Sequence, residues 1–191
     1  MVRPRRKAFR FISILFLALA LFVFGLFAFL NSNDMGDAAF RSNYPQVPVD
    51  HVFEPIDAEE ATDFLGKGSG VLFLGFPACP WCQSLAPHLD SVAKSNGVKR
   101  ISYFDVRKDR ADNTQAYQGF VKILERSLDK DEKGEPRIYV PHIVFVKKGK
   151  VVGNYKIALP KDGTNPTPDT YWTRANIDRA KAQLQTQFDK L

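Results

Sequence analysis

The sequence predicts an α/β layered sheet flanked by helices and preceded by one N-terminal transmembrane helix. Three observations carry that reading. An apolar run from Val71 to Phe76 reads as a buried strand and leads straight into a helical pattern. Beyond it, alternating and 3.6-residue spacings succeed one another as strand, helix, hairpin and helix, the order of a layered sheet. At the start of the chain, Phe11 to Leu30 is an uncharged stretch of twenty residues, long enough to span a bilayer as a helix.

That stretch is lined with Phe and Leu all round, whereas a buried core helix would be amphipathic. Signal-peptide cores run to about 7–15 residues and end at a small-x-small site. Phe29-Leu30-Asn31 offers no such site, so an uncleaved anchor is expected over 11–30. Arg3, Arg5, Arg6, Lys7 and Arg10 form a basic flank over 1–10, which orients a single-pass anchor with the C-terminal domain outside the cytoplasm. The same flank accounts for the net charge of +6, because the remaining chain carries 22 Lys and Arg against 21 Asp and Glu. A domain that close to neutral gives no nucleic-acid signal.

Asn31 to Asp50 is polar, holds Pro45 and Pro48, and shows no apolar periodicity, so 31–50 reads as a linker and 51–191 as one domain. Asp57 can cap a short helix through Leu65, with Glu59 and Glu60 in its first turn and Gly66 ending it. Arg100 to Val106 alternates as a strand. Tyr117, Phe120, Val121, Leu124 and Leu128 mark a helix over Ala111 to Leu128, and Asp129 to Arg137 reads as a charged loop. Ile143 to Val146 and Val151 to Ile157 form a hairpin across Lys147–Lys150. Ala158 to Thr170 reads as irregular, and Ile177, Ala180, Leu184, Phe188 and Leu191 mark a last amphipathic helix.

The chemistry lies in Cys79-Pro80-Trp81-Cys82, which holds the only two cysteines of the chain. If the helix starts near Cys79, Pro80 sits where a missing N–H costs nothing and the unpaired first-turn amides point at the Cys79 sulfur. Their partial positive charge favours thiolate, bringing Cys79 below the free value of about 8.5. Cys82, one turn on, is expected to be more buried and to act as the resolving thiol. A structural disulfide is the plainer reading outside the cytoplasm, yet a two-residue loop gives little stabilisation. Zinc needs two more ligands, and His51, His88 and His142 are too widely spaced, so no metal is expected.

With these residues in view, the chain resembles the thioredoxin superfamily, in which a strand feeds a Cys-x-x-Cys at a helix start and an Ala-Pro follows at the spacing of Ala86-Pro87. Pro87 would kink that helix. Val140-Pro141-His142-Ile143-Val144-Phe145-Val146-Lys147-Lys148-Gly149-Lys150 resembles the family's cis-proline, hairpin strand and Gly turn. The arrangement is most similar to membrane-tethered bacterial members, including the bacteriocin transport accessory proteins. The resemblance implies a cis bond before Pro141, stacked against the cysteine pair, with Val140 pairing with substrate and Trp81 beside it. The segment from Asp105 to Pro141 is longer than in a minimal thioredoxin by about 20 residues, placing an insertion at 107–139. The sequence departs from thioredoxins at Phe73, which stands where many carry a buried acid that helps deprotonate the resolving thiol, and at Ala78, where they carry an aromatic residue. Sequence alone allows Pro141 as a trans residue opening a strand. His142 is read as a half-exposed strand residue in preference to a proton shuttle.

Two functions stand open. One is a thiol-disulfide oxidoreductase acting on exported cysteine-containing polypeptides with an unidentified redox partner and no cofactor, favouring disulfide formation or exchange over reduction. The other is a non-catalytic assembly or chaperone module for secreted peptides.

Overall fold

A computed structural model describes residues 19–23, 38–160 and 163–191. The chain divides into two compact units, Met1–Ala39 and Phe40–Leu191. In the first, residues 19–23 are helical. The basic flank over 1–10, and the rest of the anchor expected over 11–30, lie outside the described residues. No helix among the described residues is long and apolar enough to cross a membrane.

The second unit is a mixed α/β fold built on a five-stranded sheet. Its elements are β1 (Phe53–Pro55), α1 (Ala58–Lys67), β2 (Gly70–Gly75), α2 (Pro80–Ser95), β3 (Ile101–Asp105), α3 (Arg107–Asp112) and α4 (Gln115–Leu124). There follow β4 (Asp129–Lys130), β5 (Pro136–Arg137), β6 (His142–Lys147), β7 (Lys150–Lys156), α5 (Pro168–Tyr171) and α6 (Arg174–Phe188). The sheet order is β1-β3-β2-β6-β7, parallel among the first three strands and antiparallel from β2 through β6 to β7. Because side chains alternate across a sheet, each strand feeds two cores. Phe73, Ile101, Tyr103, Ile143 and Phe145 meet α2 and α6 on one face, while Leu72, Leu74, Phe104, Val144 and Val146 meet α1 and α4 on the other.

Local chemistry sets the helix ends. Asp57 and Glu60 form a reciprocal capping box at α1, which runs past Gly66 to Lys67 because Gly68 supplies the closing N–H to the Phe64 carbonyl. The single helix expected over 111–128 is divided. Asn113 takes a left-handed conformation (φ 47°), ending α3, and Thr114 caps α4 by accepting the Tyr117 N–H. Within the charged stretch 129–137, β4 and β5 pair as a small hairpin. At the turn from β6 to β7, Lys148 and Gly149 both have positive φ, 51° and 70°, the geometry that a tight hairpin requires.

The linker reading of 31–50 fails for its second half. Phe40, Tyr44 and Val47 are buried in the α2-side core, where Phe40 stacks on Tyr44 and Phe53 at centroid distances of 4.5 and 4.7 Å. Spaced by four and three residues, they place their apolar groups on one side and leave polar neighbours outside. Replacing Phe40 by Ala should cost about 3–5 kcal/mol, read as a lower urea midpoint. Val49→Ala, at a site 71% exposed, should stay within about 0.5 kcal/mol of wild type.

Candidate active site

β2 ends at Gly75 and the chain turns through Phe76-Pro77-Ala78, closed by the Cys79 N–H donating to the Phe76 carbonyl at 3.1 Å. Helix α2 then begins with Cys79 as its N-cap and Pro80 in its first turn. The cap acceptor is the sulfur itself: the Cys82 N–H donates to Cys79 Sγ at 3.2 Å. Both cysteines are free, Cys79 being 6% exposed and Cys82 fully buried. Across the turn, the Cys79 thiol faces the Val140 carbonyl at 3.9 Å, and the Val140–Pro141 bond is cis.

The two thiols are driven apart electrostatically. A hydrogen bond from the Cys82 thiol is the main cause that holds Cys79 down to about 7, ahead of the backbone N–H groups of Cys82 and Trp81 and the Arg110 guanidinium, all against an opposing desolvation penalty. Burial pushes Cys82 well up from the ordinary thiol range, and donation to Cys79 adds to it. The pair therefore holds one sulfur ready as thiolate and one held as thiol.

Arg110 reaches this site from α3. Its guanidinium lies 5.3 Å from the Phe76 ring centroid, with that of Arg107 at 5.7 Å, and it donates to the Ile138 carbonyl at 3.2 Å. It thus links the turn before Cys79 to the segment that ends at Val140. On the opposite side, the Gln83 side-chain amide donates to the carbonyls of Asn43 and Pro77, joining the 40–47 segment to the same turn.

Two grooves flank the turn. One, of about 290 Å³, is lined by Trp81, Tyr139, Val140, Pro141, Ile157 and Leu159, with the Asp129–Lys156 ion pair (2.6 Å) at its edge. The other, of about 350 Å³, includes Pro77, Pro80, Gln83 and Asp169. Trp81 is held by an edge contact to Tyr171 at 5.4 Å. All five residues singled out from sequence, Cys79, Trp81, Cys82, Val140 and Pro141, therefore meet in one place.

His142 does not fit its expected half-exposed setting. It is fully buried, neither ring nitrogen has a hydrogen-bond partner, and burial, with Lys156 adding, pushes it down to about 4. The reason is its place on β6 between β2 and β7, opposite Leu74 and Lys156. Enclosed, and with neither ring nitrogen bonded, the imidazole has no neighbour to take a proton from or pass one to.

Sequence reasoning missed Arg110, Gln83 and Tyr44, whose roles come from distant segments that fold together. Tyr44 and Tyr103 share a hydroxyl hydrogen bond of 3.2 Å beneath the cysteines, and burial pushes both phenols up. Among the described residues no cluster of His, Cys, Asp and Glu suited to a metal occurs. Comparison with protein-family models, curated proteins and solved structures gives no match.

Two measurements probe the electrostatics and the packing. Iodoacetamide alkylation of reduced Cys79, followed against pH, should have its midpoint near neutrality and move upward in Arg110→Ala and further upward in Cys82→Ala. At Gly75 an added Cβ would meet Phe73 Cε2 at 2.8 Å and Cys82 Sγ at 3.3 Å. Gly75→Ala should accordingly cost about 1–3 kcal/mol in chemical denaturation.

Proposed function

We propose that the protein is a thiol-disulfide oxidoreductase with a thioredoxin-like fold, anchored by residues 11–30 and acting outside the cytoplasm on exported cysteine-containing polypeptides. The observation that carries this reading is the asymmetry of the cysteine pair. Cys79 is the N-cap sulfur, favoured as thiolate and facing the Val140 carbonyl, while Cys82 lies buried one turn below it. A structural cross-link needs no such difference between its two sulfurs.

The proposed reaction follows from it. The Cys79 thiolate attacks one sulfur of a substrate disulfide, forming a Cys79–substrate mixed disulfide and releasing the other substrate sulfur as thiolate, which takes up a proton. Cys82 then loses its proton and attacks Cys79 Sγ. The mixed disulfide breaks, the second substrate thiolate leaves, and the substrate has gained two electrons at the expense of a new Cys79–Cys82 disulfide. Run in reverse, the same steps form a disulfide in the substrate. A thiolate favoured at the helix start stabilises the reduced pair and makes its disulfide the stronger oxidant, so formation or exchange of substrate disulfides is the favoured direction. The groove containing Trp81, Val140 and Pro141 supplies an extended, mainly apolar surface for the polypeptide beside the reacting sulfur. An unidentified partner resets the pair, and no cofactor takes part.

Trapping decides between this enzyme and a non-catalytic assembly module. Cys82→Ala should accumulate substrates as covalent adducts visible on non-reducing gels, while Cys79→Ala should trap few. Wild type should also reduce insulin disulfides when supplied with a dithiol. Equal trapping by both variants, or none by either, would leave the binding module in its place.

A further inference from the structure

Resolution of the mixed disulfide poses a chemical difficulty. Cys82 is fully buried and strongly held as a thiol, yet it becomes nucleophilic only on losing its proton. Phe73, in the same core as Cys82, offers no acceptor. The deeper hydroxyls, Tyr44 and Tyr103, are phenols made less acidic by burial, and the surrounding core is otherwise apolar.

Sheet register supplies another group. β2 and β3 run parallel with Phe73 opposite Tyr103 and Gly75 opposite Asp105. By alternation, Asp105 belongs to the same face as Tyr103 and Phe73, the face against which α2 and Cys82 pack. Gly75 has no side chain between them, and the position its Cβ would take lies 3.3 Å from Cys82 Sγ. Asp105 Oδ1 accepts the Arg107 N–H at 2.9 Å, whereas Oδ2 has no hydrogen-bond partner among the described residues. The Arg107 guanidinium, which could have neutralised the acid, lies over the Phe76 ring. Asp105 itself is exposed at the end of β3, so a proton received there can pass to bulk water.

We propose that Asp105 is the proton acceptor for the resolving step, taking the Cys82 proton through the gap at Gly75 by way of one water. The inference rests on the reading of Cys82 as the resolving thiol. In the step it adds, the Cys82 S–H bond breaks towards the Asp105 carboxylate, the freed electron pair attacks Cys79 Sγ, and the Cys79–substrate S–S bond breaks to release a thiolate. Among the described residues the groups facing the cysteines are Tyr44, Tyr103, Asp105 and Arg110; the two phenols are held protonated by burial and the guanidinium has no acceptor, which leaves the Asp105 carboxylate.

A stationary negative charge and a proton acceptor predict opposite outcomes. The carboxylate's field disfavours a Cys82 thiolate; were that its whole effect, Asp105→Asn would speed resolution. As an acceptor, its loss slows resolution, on the order of 10²-fold at neutral pH, the lower end of what a positioned general base supplies.

The test uses the reduced full-length chain in detergent, mixed in a stopped-flow instrument with the chromogenic disulfide 5,5′-dithiobis(2-nitrobenzoate). One coloured thiolate leaves as Cys79 attacks, in a phase that scales with reagent concentration. A second leaves as Cys82 attacks the Cys79 adduct, in a phase independent of it. Asp105→Asn should keep the first phase and slow the second, and Asp105→Glu should recover much of the second. The retained first phase reports a folded site, and a variant lacking it is replaced in the same assay by Asp105→Ser. An unchanged or faster second phase in Asp105→Asn overturns the proposal. Absence of the second phase in wild type would instead overturn the assignment of Cys82 as resolver.

Discussion

The hydrogen bond from the Cys82 amide to the Cys79 sulfur is the constraint on which the rest of this site depends. It exists because β2 stops at Gly75, a short turn closes on Phe76, and α2 starts with a proline that needs no donor of its own. A sulfur used as helix cap lies in the field of the first-turn amides, which is where a negative charge is best accommodated. The second cysteine is then fixed one turn deeper by helical geometry alone. Difference in reactivity between two chemically identical side chains thus follows from where a helix begins.

Burial sharpens that difference and also limits what else can take part. The same desolvation that holds Cys82 as a thiol silences His142, which follows Pro141 directly but is enclosed between β2 and β7. Charged groups act here from the rim. Arg110 does so from the short helix after β3, stacked on Phe76 and bonded to the Ile138 carbonyl, so that one guanidinium serves both walls of the cleft around Cys79. The segment following β3 therefore supplies charged groups around the cleft as well as packing, since α3 brings Arg110 and β4 brings the Asp129 that pairs with Lys156.

Much of this was legible in the sequence where the signal was local. The apolar run of β2, the Asp57 cap, the alternation of β3 and the hairpin of β6 and β7 each depend on neighbours within a few residues. The cysteine pair carried its own context in Pro80 and the preceding strand. What escaped was non-local or masked by composition. Phe40, Tyr44 and Val47 repeat at four- and three-residue spacing but sit among Asn, Ser, Asp and Pro, and two turns are too short a run to stand out in so polar a stretch, though together they complete the core beneath the cysteines. Asn113 reads as an ordinary helix residue until its left-handed backbone and the Thr114 cap beside it divide 111–128 into two helices. His142 alternates as a strand residue should; its enclosure comes from the strands on both sides, β2 and β7.

The Gln83 amide, reaching from the first turn of α2 to the carbonyls of both Asn43 and Pro77, has a consequence for how this protein can be divided. The chain just ahead of β1 is stitched to the reactive turn and contributes aromatic rings to the floor under it. It behaves as part of the folded body rather than as a leash. A chimaera that joined another protein's stalk at His51 would therefore transplant an incomplete core beneath the cysteine pair, and the natural junction for such an exchange lies upstream of Phe40.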